Sequence, residues 1–100
     1  MRVVWAPEAL QDRIEIWDYI ATDNPAAAER MDVIFSDSAN RLADHPKPGR
    51  PGKVARTREL VAHEKYRPVY EISGDSVCIL TLSHPARLWP PSKDIGRLQK

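Results

Sequence analysis

The chain predicts a single α+β domain: an antiparallel sheet with an N-terminal helical hairpin packed on one face, in the order β-α-α-β-β-β. Three observations carry this expectation. Apolar residues recur with helical spacing only in the first half, strand-like runs occur mainly in the second half, and a proline- and glycine-rich segment separates the two. With 100 residues there is room for one core, so residues 1–100 are read as one domain with a polar tail from about residue 90.

Arg2 to Trp5 reads as a short strand. Pro7 then opens a helix, because a proline in the first helical turn gives up no hydrogen bond. Leu10, Ile14, Trp17 and Ala21 share one face of that helix and are the expected core stripe. Thr22-Asp23-Asn24-Pro25 ends it and starts the next, with Asn24 as N-cap and Pro25 as the first helical residue. The second helix carries Ala27, Met31, Ile34, Phe35, Ser38 and Leu42 on one face and stops before Pro46. Burial is expected for Leu10, Ile14, Trp17, Met31, Ile34, Phe35 and Leu42.

Residues 46–53 hold three prolines and two glycines and read as a loop. Strands are expected over Thr57–Ala62, Arg67–Ser73 and Ser76–Ser83, with Ser73-Gly74-Asp75 turning the last two into a hairpin. The last strand is apolar on both faces, Val77 and Ile79 on one and Cys78, Leu80 and Leu82 on the other. That pattern marks a central, covered strand. The helices can cover one face only, so the other needs the tail or a partner.

Composition excludes several classes. The lone Cys78 cannot form an internal disulfide and suits a reduced compartment. No apolar run approaches the roughly 20 residues of a membrane span, and nothing after Arg2 resembles a signal peptide. A cytoplasmic protein without membrane contact is expected. One cysteine and three scattered histidines (His45, His63, His84) build no metal site, no phosphate-binding glycine loop is present, and no cofactor is expected.

The net charge of +1 conceals a split. Residues 1–46 carry four basic and nine acidic side chains, a balance of −5; residues 47–100 carry eleven and five, a balance of +6. Such asymmetry points to an anionic partner for the second half, or to mutual neutralisation of the two halves.

The chemistry-bearing candidates are basic. Arg58, Arg67 and Arg87 lie on or beside successive strand segments, and His84 stands three residues before Arg87. Converging on one face, such arginines hold phosphate or stabilise a phosphoryl transition state, with His84 moving a proton. The competing reading has Arg67 paired with Glu71 along its own strand and Arg58 paired with a neighbouring acid. Tyr66 and Tyr70, flanking Arg67-Pro68-Val69, read as strand core or rim, and Trp5, Trp17 and Trp89 as core. Trp89, followed by Pro90-Pro91, is alternatively a partner anchor.

Taken in order, several segments resemble the RelE/ParE toxin family: Trp5-Ala6-Pro7-Glu8-Ala9, Tyr19-Ile20-Ala21 with Asn24-Pro25-Ala26-Ala27-Ala28, Gly49-Arg50-Pro51-Gly52-Lys53-Val54, Thr57-Arg58-Glu59-Leu60-Val61, Tyr66-Arg67-Pro68-Val69-Tyr70, and Ser83-His84-Pro85-Ala86-Arg87-Leu88-Trp89-Pro90. The resemblance runs from residue 2 to about 90. It implies a toxin of a type II toxin–antitoxin module, of the kind linked to plasmid stabilisation, which arrests growth and is neutralised by a cognate antitoxin. That antitoxin's tail would fold onto the toxin and cover the sheet and the grooves beside the helices; operator DNA would be reached only through it. A net acidic antitoxin segment with apolar anchors fits the charge split.

The family divides in mechanism. Ribonuclease members cut mRNA in the ribosome with basic residues on the sheet and a tyrosine or histidine near the C-terminus. Under that alternative the catalytic residues are Arg58, Arg67, His84 and Arg87, and the RNA 2′-OH attacks without a metal. Three departures favour the other branch, which inhibits DNA gyrase and is not an enzyme. No tyrosine follows Arg87, where Trp89 and Lys93 stand instead. Leu60 occupies a position that is basic in some ribonucleases. The chain is also near neutral, whereas ribosome binding profits from strong positive charge. A third possibility is a degenerate member that only binds its antitoxin.

Overall fold

The computed structural model describes residues 1–46, 49–63 and 65–83. Chain order is β1 (Arg2–Trp5), α1 (Pro7–Ala21), α2 (Pro25–Asp44), β2 (Arg50–Pro51), β3 (Thr57–Glu59), β4 (Arg67–Ser73) and β5 (Ser76–Ser83). The expected helical hairpin and final strand hairpin are both present. Asn24 caps α2 by accepting a hydrogen bond from the Ala27 N–H at 3.1 Å, and Pro25 follows it. Gly74 takes a φ of +59° at the first of the two residues joining β4 to β5, a conformation that glycine adopts without a Cβ clash.

Strand β3 ends at Glu59, short of the expected Ala62, because Pro68 across from Leu60 has no N–H to continue the ladder, and the sheet differs from expectation in two further ways. It has five strands in the order β1-β5-β4-β3-β2, and it is mixed, because β1 runs parallel to β5 while the other pairs are antiparallel. The N-terminal strand pairs with the last strand of the chain, with the helices and β2 to β4 between them in sequence. The second difference is β2, two residues of edge strand inside the segment expected to be loop. Pro51 has no N–H to donate, which an edge position tolerates.

The helices cover the face of the sheet that presents Tyr70, Val77, Ile79 and Leu82, all fully buried. Met31, Phe35 and Leu42 of α2 are buried as expected, and Ile34 is half-buried. Helix α1 is seated on a different stripe from the expected one. Ala9, Asp12 and Ile16 face inward, while Leu10 (48% exposed), Ile14 (55%) and Trp17 (38%) face out. Three large apolar side chains of α1 are therefore surface groups, while Ala9, Asp12 and Ile16 sit at the sheet. Trp5 is half-buried against both apolar clusters of the core and joins them.

Strand β5 carries a bulge that explains a further correction. Val69 pairs with Thr81 and Tyr70 with Ile79, so Leu80 has no partner across β4. One extra residue reverses the alternation beyond it. Leu82 accordingly joins Val77 and Ile79 on the helix side instead of sharing a face with Cys78.

Beyond Ile79, the last β5 residue paired with β1, the carboxylate of Asp12 takes over. Asp12 is 2% exposed; its Oδ2 accepts the Leu82 N–H at 3.0 Å and the Thr81 hydroxyl. A second device ties α1 to α2. Arg13 donates to Asp32 Oδ1 at 2.7 and 3.0 Å and to Ser36 Oγ at 3.1 Å, while its guanidinium lies 4.5 Å from the Trp5 ring centre.

This seating makes a direct prediction. Asp12→Ala strands a buried N–H and a hydroxyl and should lower stability by about 3 kcal/mol in urea unfolding. Ile14→Ala, on the expected core stripe, should change it by no more than about 0.5 kcal/mol.

Candidate functional site

The basic residues singled out from sequence are placed by strands β3 and β4. In register, Arg58 stands opposite Tyr70, and Glu59 opposite Val69. Side chains alternate along a strand, so Arg67, Val69, Glu71 and Glu59 share one face, whereas Arg58 shares the helix-side face with Tyr70. The structure therefore sets Arg58 and Arg67 on opposite faces of the sheet. His84 and Arg87, the other two candidates, lie outside the described residues, as does Trp89.

The two described candidates, Arg67 and Arg58, each have a definite engagement. Arg67 is 4.0 Å from Glu59 Oε1, a cross-strand partner rather than the Glu71 expected along its own strand. Arg58 donates from its guanidinium to the Gly49 carbonyl at 2.9 Å. The Gly49 N–H in turn donates to the buried Tyr70 hydroxyl at 3.0 Å. A Cβ on Gly49 would fall 2.5 Å from that hydroxyl, so glycine is needed for the close approach. Arg58 and Tyr70, both on the helix-side face, thus clamp the segment entering β2. This structural use of Arg58 is not visible in sequence, because neither Gly49 nor Tyr70 is near it in the chain.

Two tyrosines and the cysteine have shifted ionisation. Burial pushes the Tyr70 phenol up, opposed in part by the Gly49 N–H and by Arg58. Burial also raises Tyr66, with Tyr19 adding to it. Cys78 is raised by burial, then by Glu71 and Glu8, which keeps it a thiol and a poor nucleophile at neutral pH. Among the described residues no group of three or more His, Cys, Asp or Glu side chains is placed to hold a metal ion.

Two concavities flank the helices. One, about 440 Å³, is lined by Leu10, Arg13, Ile14, Trp17 and Asp32; it is the outward stripe of α1 with the Arg13–Asp32 pair as part of its wall. The other, about 400 Å³, lies between the helical turn and the β3–β4 connection, where Tyr66 meets Phe35 edge-on at 6.0 Å and His63 at 5.7 Å. Sequence reasoning singled out Leu10, Ile14 and Trp17 of the first concavity but assigned them to the core, and it missed the Arg13–Asp32 pair. Among the described residues no helix is long and apolar enough to cross a membrane.

Comparison with known proteins agrees with this architecture. A family model described as the ParE toxin of the type II toxin–antitoxin system parDE matches residues 3–89. Y4kP of Sinorhizobium fredii, described as a toxin, is 42% identical over 90 residues, covering 89% of this chain and 93% of that protein. Toxin RelE2 of Caulobacter vibrioides is 39% identical over 87 residues, covering 87% of this chain and 98% of that one. Among solved structures, the chromosomal ParDE system from P. aeruginosa gives a TM-score of 0.73 at 22% identity, covering 84% of this chain and 95% of the other. A YoeB/ParE toxin from Agrobacterium tumefaciens gives 0.60 at 17%, covering 84% and 98%.

The Tyr70 clamp predicts an alkaline limit to stability. Below the ordinary tyrosine value of 10.0 the phenol is protonated in both folded and unfolded chains. Above it the unfolded chain loses its proton first, so stability falls as pH rises towards the folded value. Urea midpoints measured from about pH 8 to 11 should show this decline. Tyr70→Phe should lessen the slope and cost about 1 kcal/mol at neutral pH through the lost bond to Gly49.

Proposed function

The chain belongs to the RelE/ParE family of type II toxin–antitoxin toxins, and we propose that it arrests growth by binding DNA gyrase, without itself being an enzyme, under the control of a cognate antitoxin. The observation that carries the mechanistic half of this reading is the placement of Arg58 and Arg67 on opposite faces of the sheet. A phosphoryl-transfer site needs its cations aimed at one developing charge. Here Arg58 holds the Gly49 carbonyl on one face, and on the other Arg67 shares its surface with two carboxylates, Glu59 and Glu71. A surface of that balance repels an RNA phosphate more than it grips one.

The ribonuclease alternative keeps one supporting fact, the 39% identity with a relative named for RelE. In that alternative Arg58, Arg67, His84 and Arg87 act together on the scissile phosphate, with a 2′-OH as attacking group.

The antitoxin has a natural seat on the outward stripe of α1. Leu10, Ile14 and Trp17 are spaced to receive the apolar face of an amphipathic helix, and Arg13 and Asp32 offer polar partners at its edge. Exposed large apolar groups gathered in one concavity are costly to leave in water, and a helical ligand removes that cost.

Two experiments test these assignments. Expression of the chain alone should trap gyrase on DNA and leave ribosome-bound mRNA intact. Arg67→Ala should stay toxic and lose about 1 kcal/mol of stability or less. Codon-specific mRNA cleavage abolished by Arg67→Ala and Arg87→Ala would instead establish the ribonuclease. For the antitoxin seat, Trp17→Ala should weaken binding of the cognate antitoxin about 30-fold, the effect of losing roughly 2 kcal/mol at an interface anchor, with the unfolding midpoint nearly unchanged. Unaltered affinity in Leu10→Ala, Ile14→Ala and Trp17→Ala would place the antitoxin elsewhere.

A further inference from the structure

We propose that the hairpin formed by β2, its turn and β3 is a rigid cationic finger that grips the sugar–phosphate backbone of duplex DNA. The inference rests on the gyrase reading, since that target works on duplex DNA, and it assigns to the toxin a DNA contact of its own.

Charge is the first argument. Residues 45–58 hold five Lys or Arg side chains and no carboxylate. Elsewhere in the chain cations are interleaved with acids. Arg50, Lys53 and Arg56 are exposed, and no ion pair involves them among the described residues. The carboxylate at the base of the hairpin, Glu59, stands across from Arg50 in register but lies 4.0 Å from Arg67.

Rigidity is the second. The turn is closed by Gly52 N–H donating to the Thr57 carbonyl at 2.8 Å and by Thr57 N–H donating to the Val54 carbonyl at 3.1 Å; the Thr57 hydroxyl bonds the same carbonyl. Its base is fixed by the Tyr70–Gly49–Arg58 clamp. Charges held on a stiff ribbon lose little freedom on binding, so more of the attraction survives as affinity.

The third argument is conformational. Arg56 has φ +70°, the left-handed region in which a side chain is disfavoured and glycine is at ease. A long cation therefore occupies a position where the backbone alone would prefer glycine. Strain of this kind points to a use for the side chain. The hairpin also lacks what a protein partner would need: Pro51 and Ala55 are exposed, Val54 is half-buried, and there is no aromatic or large aliphatic anchor. A row of cations without apolar anchors matches a repeating anion, whose contacts position without reading sequence.

The test uses the full chain and a fluorescent random-sequence DNA duplex, with single-stranded RNA of equal length as the second arm. Anisotropy from about 50 to 200 mM salt should give duplex binding whose log affinity falls with log salt at a slope near −3, as expected for about three neutralised phosphates. Arg50→Gln and Lys53→Gln should each reduce that slope by about 1. Arg56→Gly should reduce it equally while leaving the thermal midpoint unchanged or raised, a combination that a structural role for Arg56 forbids. Absence of duplex binding, a slope indifferent to these variants, or binding confined to RNA overturns the proposal. Gyrase trapping separates it from the reading beneath it. If the wild type does not trap gyrase, the gyrase reading fails whatever the finger binds; if a variant combining Arg50→Gln, Lys53→Gln and Arg56→Gly traps gyrase as well as the wild type does, the finger alone falls.

Discussion

A buried carboxylate on the first helix stands in for a strand that stops short. Strand β1 follows β5 only as far as Ile79, yet β5 continues to Ser83. Past that point its edge would expose a backbone donor to a dry interface, a loss of about 1–3 kcal/mol. Asp12 Oδ2 accepts the Leu82 N–H and the Thr81 hydroxyl and removes that loss. Because the carboxylate must reach the backbone of β5, α1 can lie in only one rotation about its axis. Ala9 and Ile16, on the same face, then pack at the sheet, and the Leu82 side chain, turned inward by the bulge at Leu80, meets Met31 and Phe35. The bulge and the carboxylate are one arrangement: the first turns Leu82 towards the helices, the second satisfies the backbone at the same residue.

That rotation decides which groups of α1 reach the solvent. A helix with Leu10, Ile14 and Trp17 on one side and Ala9, Asp12 and Ile16 on the other invites the assumption that the bulkier stripe is core. Transfer free energies alone favour that choice, since three large side chains would each contribute roughly 1.5–3 kcal/mol on burial. They are overridden by a specific interaction: Asp12 has its partners on β5, and Ala9 and Ile16 are buried beside it. The element boundaries were legible because prolines and an N-cap mark them. The face was not, because its decisive interaction joins residues about 70 positions apart. An acid at a helical position between Ala9 and Ile16 is the one local sign that a polar group is wanted inside.

The sheet shows a similar division. Strands β4 and β5 were readable to the residue from their β-branched composition and the Ser73–Ser76 turn. Strand β3 was legible at its start, Thr57, but not at its end, Glu59; two-residue β2 has too little pattern to show, and the parallel pairing of β1 is a tertiary fact. Arg58 and Arg67 stand on opposite faces for a related reason. Whether Arg58 and Arg67 face the same way depends on which residue of β3 stands opposite which of β4, and a shift of one position reverses the answer. The bond from Gly49 to the Tyr70 hydroxyl, which goes with this register, requires the absence of a Cβ and leaves no periodic trace.

The two surfaces left free by this construction sit at different edges of the fold. Helix α1 packs over β5 and β1, and the cationic hairpin forms the opposite edge at β3 and β2. Four interstrand spacings separate β1 from β2, about 19 Å. A ligand seated on Leu10, Ile14 and Trp17 therefore does not by itself cover Arg50, Lys53 and Arg56. An antitoxin that silences both must extend a further segment across the sheet, and about six residues of extended chain have the reach. The charges say what that segment should carry: the helical half of the chain stands at −5 and the strand half at +6. Acidic residues on the crossing segment would compete with DNA phosphate for the same arginines and lysine, whereas the part lying on α1 needs chiefly apolar groups. Neutralisation then follows from occupancy of two chemically distinct surfaces by one flexible chain, the apolar seat supplying hold and the acidic extension displacing the target.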